Sequence, residues 1–96
     1  MTSGRQRQTP EAAALNAALA AYLRGVIGSR QIQQKAIADR FGWAQNFLSK
    51  RFSGAVPWGV DELDSVCRYL DLDIRAVMET ARQAAQEGDE PQRNAS

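Results

Sequence analysis

The sequence predicts an all-α domain of five helices, and two observations support this prediction. Apolar residues recur at intervals of three and four along the chain, and they never alternate with polar residues over the length of a strand. Glycine and proline divide the 96 residues into segments of helical length. With 44% hydrophobic and 24% charged residues, the chain has the composition of one folded domain with a single core.

The first helix is predicted to begin after Thr9, an N-cap residue that is followed by Pro10 and Glu11, both suited to a first helical turn. Its apolar residues form one stripe at helical spacing: Leu15, Leu19, Tyr22, Leu23, Val26 and Ile27. Gly28 is the expected end of this helix, because glycine readily adopts the left-handed conformation that closes many helices.

Four shorter helices are predicted to follow. Two of them cover about 34–41 and 44–52, and a loop over 53–59 leads to a fourth helix that ends near Leu70. Asp73 is expected to cap the fifth. The inward residues of the last two helices are Val60, Leu63, Val66, Cys67 and Leu70, then Ile74, Val77, Met78, Ala81, Ala84 and Ala85. The predicted domain therefore spans residues 9–86, with a flexible N-terminal arm over 1–8 and a disordered polar tail over 87–96.

Gly42 lies between the second and third predicted helices, each of which is too short to be stable alone in water. We expect Gly42 to end the second helix in the left-handed conformation and to turn the chain abruptly. Ile37 and Ala38 can then pack against Leu48 and Phe52 of the third helix. Two short helices that are joined and packed in this way predict a helix-turn-helix formed by helices 2 and 3.

The outer face of the third predicted helix carries no acidic residue. At about 100° per residue, one arc of this helix holds Gln45, Asn46, Ser49 and Lys50. A solvated helix face usually mixes glutamate with lysine, whereas amide, hydroxyl and ammonium groups are those that read base edges in the major groove. These four residues are therefore the predicted base-reading residues.

The region around the turn resembles the helix-turn-helix of the lambda-repressor-like family, of the Cro and phage-repressor type, over about 13–80. The residues that carry the resemblance are Gln34, Ile37-Ala38, Phe41-Gly42, Gln45, Leu48, Phe52-Ser53-Gly54, Val56-Pro57, Leu63, Val66 and Leu70-Asp71-Leu72. The resemblance implies a transcriptional regulator or repressor whose third helix, about 44–52, enters the major groove of double-stranded DNA. It also implies that Gln34 binds a phosphate at the start of helix 2. Lys35 and Arg30 are expected to contact the DNA backbone beside it.

Two residues depart from the family pattern. Arg51 stands where the family usually buries an apolar residue, so its guanidinium could reach a phosphate or an acid of the fourth helix, such as Asp61 or Asp64. Ala44 stands where an N-capping threonine or serine is common, which leaves the start of the third helix open. Trp43, next to it, could donate its indole N–H to a DNA phosphate or could anchor the turn.

Other residues near this region permit two interpretations. Phe47 borders the outer face of the third helix, where it could touch a thymine methyl group or pack against a neighbouring helix. Trp58 could bind a phosphate or anchor its loop. Arg5 and Arg7 could reach a DNA groove as an arm or remain a solvated tail.

The charges are divided unequally between the two halves of the chain. Residues 1–54 carry a net charge of +6 and residues 55–96 a net charge of −5, although the whole chain is close to neutral at +1. This division favours a basic half that faces a polyanion and an acidic half that faces away from it. Chance combined with intramolecular ion pairing is the alternative.

The chemistry of an enzyme or a cofactor site is not predicted. The chain has no histidine and one cysteine, Cys67, which excludes a disulfide framework and a His/Cys zinc site. The acids Asp61, Glu62 and Asp64 have no partner for acid–base catalysis, so no catalytic residue, metal or cofactor is expected. No apolar run approaches the roughly 18 residues of a membrane span and no signal peptide is evident, which predicts a cytoplasmic protein without membrane contact.

One recognition helix spans only a few base pairs, so a homodimer on a near-palindromic operator is expected. The expected dimer surface is the apolar stripe of the fifth helix, formed by Met78, Ala81, Ala84 and Ala85, unless these alanines only raise helix propensity. The alternative function is a helical protein-interaction module, such as an antitoxin-like or regulatory subunit. It would account for the acidic half of the chain but not for the acid-free face of the third helix.

Overall fold

The computed structural model describes residues 9–89, which form five α-helices and contain no strand. The helices are α1 (Pro10–Ser29), α2 (Gln34–Phe41), α3 (Gln45–Ser53), α4 (Val60–Tyr69) and α5 (Ile74–Asp89). The all-α prediction is therefore confirmed. Helix α5 continues to Asp89, three residues beyond the predicted end of the domain at 86, although Gly88 and Asp89 have low intrinsic helix propensity. The predicted arm over 1–8, and the tail over 90–96, lie outside the described residues.

The core receives buried side chains from all five helices, and α1 packs mainly against α5 and α3. The buried apolar cluster consists of Leu19, Leu23, Ile27, Ile37, Ala38, Leu48, Phe52, Leu63, Val66, Cys67, Leu70, Val77 and Ala81. Burial raises the pKa of the Cys67 thiol to about 11, with smaller contributions from the charges of Asp64 and Asp73. The cysteine is thus a small apolar member of the core, as its sequence context favours.

The end of α1 differs from the prediction. The helix passes through Gly28, and the left-handed residue is instead Gln31, with a φ of 58°. The backbone N–H of Ile32 donates to the carbonyl oxygen of Ile27 at 2.9 Å, which closes the helix while Ile32 packs on the core. The apolar contact of Ile32 therefore sets the end of α1. The end of α4 is similar, with Asp71 at a φ of 60°.

Helix α1 is long and apolar enough to cross a membrane by length and composition alone. A core helix of a soluble protein passes the same test, and Leu19, Ala20 and Leu23 of α1 are buried in this domain. The helix comes closer to a membrane span than the sequence analysis expected, and the cytoplasmic location stays a prediction.

Candidate nucleic-acid interface

The turn between α2 and α3 contains the left-handed glycine that the sequence predicts. Gly42 ends α2 in the left-handed conformation, with a φ of 72°. The backbone N–H of Trp43 then donates to the carbonyl oxygen of Ala38 at 2.9 Å. Ile37 and Leu48 are completely buried and Ala38 almost so, which packs the two short helices on one core. Neither helix has to be stable by itself, because tertiary packing holds both.

Two arginines hold α3 against the rest of the domain. Arg24 of α1 donates from Nη1 to the carbonyl oxygen of Phe52 at 2.6 Å, in the last turn of α3, where carbonyl groups lack helical partners. Arg51 of α3 donates from Nε to Oε1 of Glu62 in α4 at 2.7 Å, and from Nη1 to the carbonyl oxygen of Phe47 at 2.9 Å. Helix α3 is thereby fixed to both α1 and α4.

Glu62 joins Arg51 to the start of α4. Its Oε1 also accepts the backbone N–H of Gly59 at 2.9 Å, which caps this helix. Partial burial raises the pKa of Glu62, but the Gly59 N–H and the Arg51 guanidinium together outweigh it and hold the pKa below its usual value. Arg51 therefore pairs with an acid of the fourth helix, as expected, but this acid is Glu62 instead of Asp61 or Asp64, because the capping position turns Glu62 toward α3.

The guanidinium of Arg51 therefore has partners inside the protein, and these compete with its predicted phosphate contact. Its side chain is only 16% exposed, compared with 66% for Lys35. A cation that is buried against a carboxylate has little freedom to reach a DNA backbone without losing that pair.

Trp43 belongs to a run of aromatic rings along the α2–α3 turn. Its ring stacks on Phe41, with centroids 4.7 Å apart, and contacts Phe47 at 5.4 Å. Tyr69 of α4 extends the run, because its ring lies edge-on to Phe41 at 6.0 Å. Of the two roles considered for Trp43, anchoring the turn is visible in these contacts, and a bond to a DNA phosphate stays a prediction.

The predicted base-reading residues lie on the outer side of α3. Gln45, Asn46 and Lys50 are exposed, and Ser49 is half-buried with its hydroxyl 3.4 Å from the carbonyl oxygen of Asn46. Within residues 9–89, the side chains of Gln45, Asn46 and Lys50 form no hydrogen bond or ion pair with the protein. Helix α3 contains no acid that could compete for these groups.

The N-termini of α2 and α3 have no side-chain cap. Gln33 and Ala44 stand at the two N-cap positions, neither forms a capping hydrogen bond, and neither first turn contains an acid. At the start of α1 and α5, first-turn N–H groups donate to the side chains of Thr9 and Asp73. Helix α4 also lacks a side-chain cap, but its first turn carries two acids, and Glu62 accepts the N–H of the N-cap residue Gly59. The first backbone N–H groups of α2 and α3 therefore remain available to an external anion.

The residues predicted to contact the DNA backbone have different surroundings. Lys35 pairs with Asp39 across an exposed helical turn at 2.9 Å. Gln34 is half-buried at the first position of α2. Arg30 donates from Nη1 to the carbonyl oxygen of Leu70 at 2.6 Å, so it closes the end of α4. This structural role of Arg30 was not evident in the sequence.

Asn16 is a buried polar residue that sequence reasoning missed. Its Oδ1 accepts the backbone N–H of Trp58 at 3.2 Å, and its Nδ2 donates to the carbonyl oxygen of Gly54 at 3.4 Å. These bonds tie the loop after α3 to α1. The available signal was its position four residues before Ala20, on the buried stripe of α1.

Trp58 anchors the same loop. Its ring lies edge-on to Phe52 at 5.2 Å, and its indole N–H is buried without an acceptor among the described residues. A buried N–H is not exposed to a DNA phosphate, which favours the anchoring role over the phosphate contact.

No model of a known protein family matches the chain, and searches of curated proteins and of solved structures found no match either. The resemblance to the lambda-repressor-like family is therefore carried only by residues of this chain, such as Gln34, Gly42 and Leu48.

Proposed function

We propose that the protein binds double-stranded DNA in a sequence-specific manner, through a helix-turn-helix formed by α2 and α3, as a transcriptional regulator or repressor. One observation carries this proposal: the side chains of Gln45, Asn46 and Lys50 are exposed, unbonded within residues 9–89 and without an acidic neighbour on α3. The amides can pair with adenine, the ammonium group with guanine, and the hydroxyl of Ser49 with either base.

The uncapped N-termini support contacts to the DNA backbone. The first N–H groups of α2 and α3 and the positive ends of both helices favour phosphate, with Gln34 and Lys35 at the start of α2. The net charge of +6 over residues 1–54 also supports attraction to DNA. The acidic α4 and α5 would face away from the duplex.

Selection of bound duplexes from a randomised pool tests the proposal, and variants then test the division of roles. Gln45→Ala and Lys50→Ala should each cost about 1–3 kcal/mol on the selected duplex and little on random duplex. Lys35→Ala should weaken both and reduce the salt slope by about one unit. Gln86→Ala, which removes an exposed amide from α5, is the matched control and should leave binding unchanged.

A pool that yields no preferred sequence, or equal losses on selected and random duplex for Gln45→Ala, would contradict the proposal. A protein-interaction module is then the second candidate. One observation favours it: Val60 is 77% exposed and lines an apolar groove of about 300 Å³ together with Trp58, Ile74 and Met78.

The regulator is proposed to act as a homodimer, whose two-fold axis requires a near-palindromic operator with half-sites about 34 Å apart. The surface expected on α5 needs one correction, because Ala81 has 0% exposure and belongs to the core. Ala81→Glu would bury a charge and unfold the monomer, so it cannot test the dimer. The exposed part of the stripe consists of Ala84, with Met78 and Ala85 half-buried beside it.

Ala84→Glu is the appropriate test of this surface. It should place like charges at the interface and weaken operator binding, while the monomer keeps its melting temperature. Sedimentation with and without operator duplex measures the result. A single chain per full-length operator, unaffected by the substitution, would contradict the dimer.

A further inference from the structure

Phe47 differs from the other apolar residues of α3. Leu48 and Phe52 are completely buried, whereas Phe47 is half-buried. It precedes Lys50 by three residues, which makes the two neighbours on the helix surface, and it follows Asn46 directly. Part of Phe47 therefore remains exposed beside side chains that we propose to read bases.

The ring of Phe47 is held from two sides. The guanidinium carbon of Arg51 lies 3.7 Å from the ring centroid, over the ring face. The ring of Trp43 contacts it at 5.4 Å, tilted by 50°. Arg51 is fixed in turn by its 2.7 Å bond to Glu62. A side chain that is fixed before binding loses little conformational freedom on binding, so even a small contact can add to affinity.

We infer that Phe47 is a specificity-determining residue that contacts the C5-methyl group of a thymine in the major groove. The inference rests on the proposed function and deepens it. A phenyl ring offers no donor or acceptor to a base edge, and the thymine methyl is the apolar group that the major groove presents. An amide from Gln45 or Asn46 on adenine, with Phe47 on thymine, would read A·T pairs from both strands.

The experiment replaces each thymine of the selected duplex by deoxyuridine, which removes only the C5-methyl group. At one thymine in each half-site, wild-type affinity should fall about fourfold per methyl, which corresponds to ~0.8 kcal/mol. This measurement needs no substitution in the protein, so it does not depend on whether a variant folds.

Variants assign the effect to Phe47. Phe47→Ala should bind the thymine and uracil duplexes equally, and Phe47→Leu should keep part of the discrimination. Tyr69→Leu removes an aromatic residue at the other end of the same run of rings and should keep all of it. Circular dichroism melting of each variant confirms that it is folded.

Each outcome decides between the two claims. A selected half-site without thymine, a uracil scan with no loss above twofold, or discrimination that survives Phe47→Ala would overturn the inference and leave the proposed function intact. A pool that yields no preferred duplex would overturn both.

Discussion

The α2–α3 pair and the three surrounding helices begin differently. A side-chain acceptor stands at the start of each surrounding helix: Thr9 for α1, Asp73 for α5, and for α4 Glu62, which accepts the N–H of the N-cap residue Gly59. Helices α2 and α3 begin at Gln33 and Ala44 without such bonds. Charge follows the same division, because α2 and α3 contain one acid, Asp39, whereas α4 and α5 contain three each.

This difference separates residues that stabilise the fold from residues that remain available to a partner. An N-cap side chain contributes about 0.5–2 kcal/mol to the free energy of unfolding, and α2 and α3 both lack this contribution. Helix α3 is instead held to its neighbours by two side-chain contacts. Arg24 of α1 bonds to the last turn of α3, and Arg51 of α3 bonds to Glu62 of α4. A surface whose N–H groups and amides are unoccupied is suited to a polyanion.

The largest expected effect is that of Leu48→Ala, which removes the buried contact between α2 and α3. Leu48 has 0% exposure, and such a truncation typically costs about 2–5 kcal/mol of unfolding free energy. Urea unfolding measures the loss. Asn46→Ala, on the exposed side of the same helix, is the control and should change stability by less than about 0.5 kcal/mol. Equal midpoints for the two variants would show that the pair is not packed as described.

Glu62→Gln should have the next largest effect on stability, because it removes the negative charge of the carboxylate that accepts hydrogen bonds from Arg51 and from the Gly59 N–H. The two side chains of the pair are 16% and 23% exposed, so we expect a loss of about 1–2 kcal/mol. Asp64→Asn breaks an exposed pair with Arg68 and should cost much less. Similar losses for both variants would contradict a special role for Glu62.

The same carboxylate makes stability depend on pH. The pKa of Glu62 is lowered in the folded protein from its ordinary value of 4.5, despite the opposing effect of burial. Its stabilisation is therefore complete above that value and is lost as the pH falls through the lower folded pKa. Wild type should lose more unfolding free energy than Glu62→Gln between neutral pH and pH ~3. Parallel pH profiles would contradict this linkage.

The helix N-caps provide the next test. Thr9→Ala should destabilise the protein by about 0.5–2 kcal/mol, because Thr9 accepts the N–H of Ala12 at 3.1 Å. Ala44→Asp should stabilise the fold by a similar amount and weaken DNA binding, because the new carboxylate occupies the N–H groups that a phosphate would use. Thermal melting and binding to random duplex are measured on both variants. An Ala44→Asp variant that binds DNA as tightly as wild type would contradict the role of the uncapped α3.

The smallest expected effect on stability is that of Lys35→Ala. Its pair with Asp39 is 66% exposed on each side, and such pairs contribute about 0.5 kcal/mol or less. Its effect on DNA affinity should be larger and should disappear at high salt. A variant that loses stability but keeps the wild-type salt slope would assign Lys35 to the fold instead.

The features that could be predicted from the sequence are those that residues close together in the chain determine. Helical periodicity placed the five helices, and Gly42 marked the turn because few residues tolerate its left-handed backbone. The bonds from Arg24 to Phe52 and from Arg30 to Leu70 join residues 28 and 40 positions apart, so no local pattern could reveal them. Ala81 was assigned to a dimer surface because its small side chain would permit close helix approach, although it lies at the centre of the apolar stripe, three and four residues after Met78 and Val77, where helical spacing favours the core.

The most direct test of the central claim is an NMR titration of the ¹⁵N-labelled protein with its selected duplex. The account predicts that the largest amide shift changes lie at the start of α2, around residues 34–36, and along the outer face of α3, around 45–50. The exposed faces of α4 and of the N-terminal part of α5, before Ala84, should change little. Largest changes on α4 and α5, or saturable binding that leaves 45–50 unperturbed, would contradict the proposed interface.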